Sequence, residues 1–281
     1  MSNQRSVCVV TDSTSDIPAH LREELGIEVV ALSINFENET LLDGVDISAE
    51  QYVERLRTLE KLPSTAQPTV DQFQKAYKKG LDAGMDVVCV TISSGLSGTN
   101  NSANLAAEQL DPAKIRVIDS QNATMAHGWV AIEAARAAQG GATLDEVVQV
   151  ANTARDNVQF YALLESLDYV YKGGRIGRAS HMVGSALGIK PILSIDDGTV
   201  SVVERVRTWK KALKRMIEVA SSQGELLDVA IMHTDNLPEA QSVLNELKTR
   251  FPGAHFEIMF AGPTIATYAG PGAVGIMIRT A

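Results

Sequence analysis

The chain has 281 residues, room for one large domain or two ordinary ones, and 45% of them are hydrophobic. With only six Phe, six Tyr and two Trp the core must be mainly aliphatic, and a net charge of −9 has the wrong sign for a general binder of nucleic-acid phosphates. Charged residues at 21% beside that apolar content exclude long disorder.

In chain order, Ser6 to Val10 reads as a strand that runs into a polar segment, Thr11-Asp12-Ser13-Thr14-Ser15-Asp16. Pro18 opens a helix that Gly26 closes. Ile27 to Ile34 reads as a second strand. Ser48-Ala49-Glu50-Gln51 is a capping box, with Ile47 and Tyr52 placed as a hydrophobic staple, and predicts a helix to about Leu62. Pro63 to Pro68 (PSTAQP) reads as a loop. From about Val70 a helix follows, because Phe73, Ala76, Tyr77 and Leu81 recur at helical spacing. Val87 to Ile92 is a continuous apolar strand suited to a sheet buried on both faces. It empties into Ser93-Ser94-Gly95-Leu96-Ser97-Gly98-Thr99, after which a helix runs to about Leu110. Ile115 to Ile118 is another strand, ending in Asp119-Ser120.

The second half has a different grammar. Thr143-Leu144-Asp145-Glu146 caps a helix and Val158 to Leu164 is a strand. Lys172 to Arg178 is a basic, glycine-rich loop. Pro191 to Ile195 and Val200 to Val206 flank Asp197-Gly198, a hairpin signal. Thr208 caps a helix, Val229 to Met232 is a strand, Pro238 starts a helix, and two final strands, His255 to Phe260 and Val274 to Ile278, surround a glycine-proline loop. The pattern predicts an α/β protein of two α/β domains. Residues 1–155 form the first, with a mainly parallel sheet, and residues 156–281 the second, with a mixed sheet and helices.

Cys8 and Cys89 both fall in apolar strands and read as buried thiols of a reducing compartment, too few for a zinc site or a disulfide framework. The amino terminus lacks a signal-peptide core. Two charge-free runs are long enough to span a bilayer, Val87 to Ala107 and Ile258 to Ile278. The first is studded with Ser, Thr and Asn and the second with Gly and Pro, so neither suits hydrocarbon. A cytoplasmic protein without an integral membrane segment is expected.

Polar residues gather at the predicted carboxyl ends of strands, where open α/β sheets bind ligands. The Ser93–Thr99 turn joins a strand to a helix start, so free backbone N–H groups, a helix dipole and several hydroxyls converge there. It is either an anion site or a serine-rich helix cap. It is no P-loop, lacking G-K-S/T, and no nucleophile elbow, lacking G-x-S-x-G. The histidines (His20, His127, His181, His233 and His255) have no spacing that suggests a metal site. Thr65 lies between two prolines that stiffen the backbone, either as a connector or to aim a hydroxyl. Lys172, Arg175 and Arg178 offer cations for a carboxylate or phosphate, or a solvated turn. Arg205 to Arg215 concentrates six cations in an acidic chain, as a solvated helix face or a docking patch.

In this order, VTDSTSDIP, PSTAQP, ISSGLSGTNNSA, the IDS after the next strand, LDYVYKGGRIGRAS, IKPILSIDDGTV, ERVRTWKKAL and GPTIATYAGPGAVGI resemble the DegV family of bacterial fatty-acid-binding proteins over nearly the whole chain. The resemblance implies a protein with no catalytic residues, metal or cofactor. It holds one long-chain fatty acid, such as palmitate or oleate, in an apolar tunnel with the head group near the domain junction. It also implies a partner: a separate ATP-dependent fatty acid kinase subunit that phosphorylates the bound carboxylate for phospholipid synthesis. Thr65 and a serine of SSGLSG, Ser97 with Ser94 as the alternative, would hydrogen-bond the carboxylate, and Arg175 would lie near it and the incoming phosphate. Two positions depart from the family pattern. Ala66 stands where a second serine is common, and Tyr268 stands where the family often has His. Tyrosine donates a hydrogen bond but does not supply the positive charge an imidazole can.

Two other classes of function fit parts of the chain. One is a stand-alone enzyme on a small anionic metabolite, which lacks an evident base, nucleophile or metal cluster. The other is a regulatory or interaction module that recruits partners through the basic 205–215 stretch.

Overall fold

The computed structural model describes residues 6–182 and 189–281. Its elements begin with β1 (Val7–Asp12), α1 (Ala19–Leu25), β2 (Ile27–Val30), β3 (Ser33–Asn35), β4 (Thr40–Leu42), α2 (Ala49–Leu56) and β5 (Ser64–Ala66). There follow α3 (Val70–Asp82), β6 (Asp86–Thr91), α4 (Thr99–Glu108), β7 (Ile115–Asp119), α5 (Thr124–Gln139), α6 (Leu144–Asp156) and β8 (Val158–Leu163). The rest are α7 (Asp168–Lys172), β9 (Lys190–Asp196), β10 (Thr199–Val206), α8 (Trp209–Ser221), β11 (Leu226–His233), α9 (Leu237–Arg250), β12 (His255–Phe260), α10 (Pro263–Ala269) and β13 (Val274–Thr280).

The chain divides into two compact units, residues 1–33 with 66–156 and residues 34–65 with 157–281. In the first, β2-β1-β6-β7 form a wholly parallel sheet. Strand side chains alternate between its faces. Cys8, Val10 and Cys89 join Phe73 and Tyr77 of α3 and Ala103 and Ala106 of α4 in one cluster. Burial pushes the Cys89 thiol and the Tyr77 phenol up from their ordinary pKa values. Thr11, on the opposite face of β1, meets His127 of α5.

In the second unit a six-stranded mixed sheet runs β10-β9-β8-β13-β11-β12, antiparallel except for the parallel β11–β12 pair. Tyr161, Leu163, Ile192, Val274 and Ile276 face α8 and α9, packing on Met216, Leu244 and Leu247. Burial raises the Tyr161 phenol to about 12. The other face carries Ala162, Leu193 and Ala273 in a smaller aliphatic cluster with Leu164, Val170 and Ile176. Segment 34–65 contributes a small sheet, β4-β3-β5, and α2.

The capping box at Ser48–Gln51 and the Asp197-Gly198 hairpin are present, the latter with φ of 47° and 72° as a two-residue turn of positive φ requires. Several expectations need correction. The cut at 155/156 misses that residues 34–65 join the second unit. The apolar face of α2 (Tyr52, Val53, Leu56) is buried with Ala266 and Tyr169, partners more than 110 positions away that no local pattern reveals. Ile27 to Ile34 is two strands, because the chain leaves the parallel sheet after Val30 and the Ser13 hydroxyl takes the Leu32 N–H at 3.1 Å. The PSTAQP loop contains a strand, and α2 stops at Leu56 rather than near Leu62. The glycine-proline loop after β12 contains α10, which starts on Pro263 and stops at Gly270, φ 71°. Helix α5 was not expected. It is alanine-rich and buried nearly all round, so it has no polar stripe to betray a 3.6-residue period.

Gly80 shows why one helical glycine is retained. A methyl group there would lie 2.8 Å from Cys8 Cβ and 3.1 Å from Val87 Cγ2. Alanine normally gains about 1 kcal/mol over glycine in a helix, but overpacking costs about 1–3 kcal/mol. Gly80→Ala is therefore expected to lower the urea unfolding midpoint. A raised midpoint would show that the α3–β1 contact can yield.

Candidate ligand-binding site

The second unit brings three of the expected residues together. Thr65 sits on β5, and its hydroxyl lies 2.5 Å from the Tyr268 hydroxyl of α10. Arg175, in the loop after α7, holds its guanidinium carbon 5.2 Å from the centre of the Tyr268 ring. The glycines of this loop have separate steric duties. A methyl group on Gly173 would come within 2.5 Å of Tyr268 ring carbons. Gly177, at φ 53°, packs so closely on β10 that a methyl group would lie 2.6 Å from the Val200 carbonyl oxygen. Arg175 Nη1 donates to the Gly173 carbonyl at 2.7 Å, and Arg178 bridges to Asp196 and Asp197 of the hairpin. The basic loop is thus an anchored frame for one cation beside a phenol.

Helix α10 is held on its other side by the Tyr52 hydroxyl, 2.6 Å from Thr267 Oγ1. Burial raises the Tyr52 phenol above its ordinary pKa, so it stays a neutral partner. Two hydroxyls that share one hydrogen bond keep one O–H to give elsewhere. With a guanidinium beside it, the Thr65–Tyr268 pair can serve a carboxylate with a neutral donor and a nearby positive charge.

Ser94 and Ser97 lie in the first unit, in the turn between β6 and α4. Ser97 is half-buried, and its hydroxyl lies 2.8 Å from Thr99 Oγ1 and accepts the Thr99 N–H at 3.3 Å. Ser94 is exposed, and its N–H reaches the Asp119 carboxylate at 3.2 Å. Ser97 and Thr99 thus pair their hydroxyls at the start of α4. Gln67 was overlooked in the sequence: its amide packs on Gly98, where any side chain would collide with it, and donates to Ser102 Oγ at 3.0 Å. Its only signal is its position two residues after Thr65.

Much of the strand-end polarity is structural. The buried Asp12 carboxylate accepts from the Thr14 N–H at 3.0 Å, the Thr14 hydroxyl at 2.5 Å and the Ile92 N–H at 2.8 Å, tying β1 to the end of β6. His127 Nε2 is spent on Thr11 Oγ1 (2.9 Å) and lies near the Val90 carbonyl (3.2 Å). His233 has its pKa lowered by burial and accepts the Asn236 N–H at 3.4 Å as a neutral ring. The His181 side chain lies outside the described residues. In the basic stretch, Arg215 pairs with Glu204 at 2.8 Å and with Glu218, and Lys214 lies 4.0 Å from Glu218, so part of its positive charge is balanced locally. A groove of about 500 Å³ beside Phe36 is walled by Glu37, Glu39, Arg55, Glu60 and Lys61, charges that do not suit an alkyl chain. Among the described residues no group of three or more His, Cys, Asp or Glu could hold a metal ion, and no helix is long and apolar enough to cross a membrane.

Residues 6–281 match the family model described as "Uncharacterised protein, DegV family". A DegV domain-containing protein of Mycobacterium tuberculosis is 38% identical, the match covering 97% of each chain. One from Caldanaerobacter subterraneus is 34% identical over 97% of this chain and 98% of its own. Among solved structures, a DegV family protein from Thermus thermophilus, studied for fatty acid binding, superposes with a TM-score of 0.92 at 28% identity, covering 98% of this chain and 100% of that one. DegV of Bacillus subtilis, a fatty acid binding protein, gives 0.89 at 30% identity, covering 99% and 100%. A stearic acid-binding protein from Eubacterium ventriosum gives 0.85 at 25% identity, covering 96% and 97%.

Tyr268→Phe removes one end of the hydroxyl pair and leaves the half-buried Thr65 hydroxyl to water, a loss of about 1 kcal/mol. Gly173→Ala displaces the ring itself and should cost more. Chemical denaturation of both variants checks the order, and a Gly173→Ala protein as stable as the parent would contradict the close approach.

Proposed function

The chain belongs to the DegV family, and on that premise we propose that it binds one long-chain fatty acid, such as palmitate or oleate, and is not itself an enzyme. The observation that carries this reading is the Thr65–Tyr268 hydroxyl pair with Arg175 beside it, a receptor for one carboxylate. Apolar surface adjoins it. Ala269, next to Tyr268, packs on the aliphatic cluster of Ala162, Leu193 and Ala273. An alkyl chain laid in an apolar tunnel gains about 0.8 kcal/mol per buried CH₂, before the costs of association. Ser97 is the other proposed head-group ligand and Ser94 its alternative, since the helix start beside Ser97 presents N–H groups suited to an anion.

In this reading the protein is a cytoplasmic carrier that presents its ligand to an ATP-dependent fatty acid kinase subunit, which forms the acyl phosphate. Arg175 would neutralise charge that develops as the phosphoryl group arrives. Tyr268 offers a hydroxyl donor at that point.

Native mass spectrometry of the purified protein should show one co-purified fatty acid. A lipid-free protein that also fails to bind palmitate or oleate would refute the ligand. Thr65→Val and Ser97→Ala should each weaken binding by about 1–3 kcal/mol, as expected when a bound carboxylate loses a partner. Parent affinity in both variants would refute this placement of the head group. With a competent kinase subunit, Arg175→Ala should reduce acyl-phosphate formation more than it reduces retention of the lipid, and equal losses would reduce Arg175 to a binding role.

A further inference from the structure

Tyr268 projects from a helix of seven residues, and the turn that follows, Gly270 to Ala273, is gripped from outside by the segment His233-Thr234-Asp235-Asn236 at the end of β11. The grip consists of five hydrogen bonds. The Thr234 hydroxyl donates to the Gly270 carbonyl at 2.6 Å and accepts the Ala273 N–H at 2.8 Å. The Thr234 N–H donates to the Ala273 carbonyl at 3.1 Å, and the Gly272 N–H donates to the Thr234 carbonyl at 2.6 Å. Asn236 Nδ2 donates to the Gly272 carbonyl at 2.9 Å.

The side chain of Thr234 is 1% exposed and uses its hydroxyl both as donor and as acceptor, so water has no role to take over. The gripped backbone is unusual. Gly270 sits at φ 71° and ψ 169° and Gly272 at φ 87°, conformations that only glycine adopts cheaply. The Gly270 N–H in turn closes α10 on the Ala266 carbonyl at 2.9 Å. Asp235, itself at φ 59°, is tied to Arg57 at 2.7 Å, so the gripping segment is anchored as well.

We propose that Thr234, assisted by Asn236, is a positioning residue for the head-group site: by fixing the Gly270–Ala273 turn it sets the rotation and height of α10 and so holds the Tyr268 hydroxyl against Thr65. This rests on the reading of Tyr268 as a head-group donor. Neither Thr234 nor Asn236 touches Thr65, Tyr268 or Arg175 in the hydrogen bonds above, so their effect must pass through the helix.

The test is a double-mutant cycle on the full, delipidated chain, with laurate, myristate and palmitate as probes and unfolding midpoints measured in parallel. Thr234→Val keeps the shape and removes the hydroxyl. It should weaken binding about five- to tenfold, the equivalent of one hydrogen bond, by the same factor for all three acids. Thr234→Ser, which keeps the hydroxyl, should restore parent affinity. In a Tyr268→Phe background Thr234→Val should change affinity less than about twofold, although it still lowers stability. If Thr234→Val does not fold, Asn236→Ala, which loses one bond at a half-buried position, carries the same cycle. The positioning role is overturned if the parent binds and Thr234→Val binds equally well. It is also overturned if the loss is the same with and without the Tyr268 hydroxyl, or if the loss grows with chain length, as damage to an acyl tunnel would. A parent that binds none of the three acids refutes the ligand and this inference together, a result distinct from a binding parent that is indifferent to position 234.

Discussion

A helix of seven residues has too few internal hydrogen bonds to hold its shape in water, so whatever Tyr268 does depends on the contacts that enclose α10. Those contacts come from four parts of the second unit. Tyr52 of α2 meets Thr267, Thr65 of β5 meets Tyr268, Gly173 after α7 lies beside the Tyr268 ring, and Thr234 after β11 secures the turn beyond. The segments are distant in sequence, and each meets the helix through one buried or half-buried polar group or one missing side chain. A hydroxyl pair assembled in this way is preorganised, which spares a ligand the entropy of ordering it.

The two units use polar residues differently. In the first, the carboxylate of Asp12 binds three donors and Nε2 of His127 meets the Thr11 hydroxyl, so the ends of β1 and β6 are stitched together. The Ser93–Thr99 turn differs in degree. Ser97 and Thr99 satisfy each other, the Ser97 hydroxyl also takes the Thr99 N–H, and the N-cap of α4, Gly98, has no side chain to cap the next N–H groups. In the second unit the hydroxyls sit beside a cation and next to an aliphatic cluster, a combination that suits an amphiphile better than a small metabolite.

Local signals located most elements. The capping box at Ser48, the Asp197-Gly198 hairpin and the apolar run at Val87 each act within a few residues, and each stands where its chemistry requires. The failures share one cause, which is burial supplied from elsewhere. Helix α5 shows no polar stripe because both the sheet and its neighbours enclose it. Helix α10 reads as loop because Gly262, Pro263, Gly270 and Pro271 dominate it, although Pro at a helix start and Gly past its end are also helix punctuation. Thr65, Arg175 and Tyr268 were singled out from their motifs, but Thr234 and Asn236 were not, because no motif marks a residue whose work is to hold a turn some 36 positions further along.

By itself the sequence determined the alternation of strands and helices, the aliphatic core and the family, because periodicity, capping and glycine spacing are properties of neighbouring residues. The tertiary structure alone decided that residues 34–65 belong with the second half of the chain and that Thr65 and Tyr268, 203 positions apart, share a hydrogen bond. It also decided that Gly173 is small to make room for an aromatic ring rather than to bend the backbone. Such pairings are selected by packing complementarity between distant surfaces, and a side chain's own neighbours in sequence carry no record of which surface it will meet.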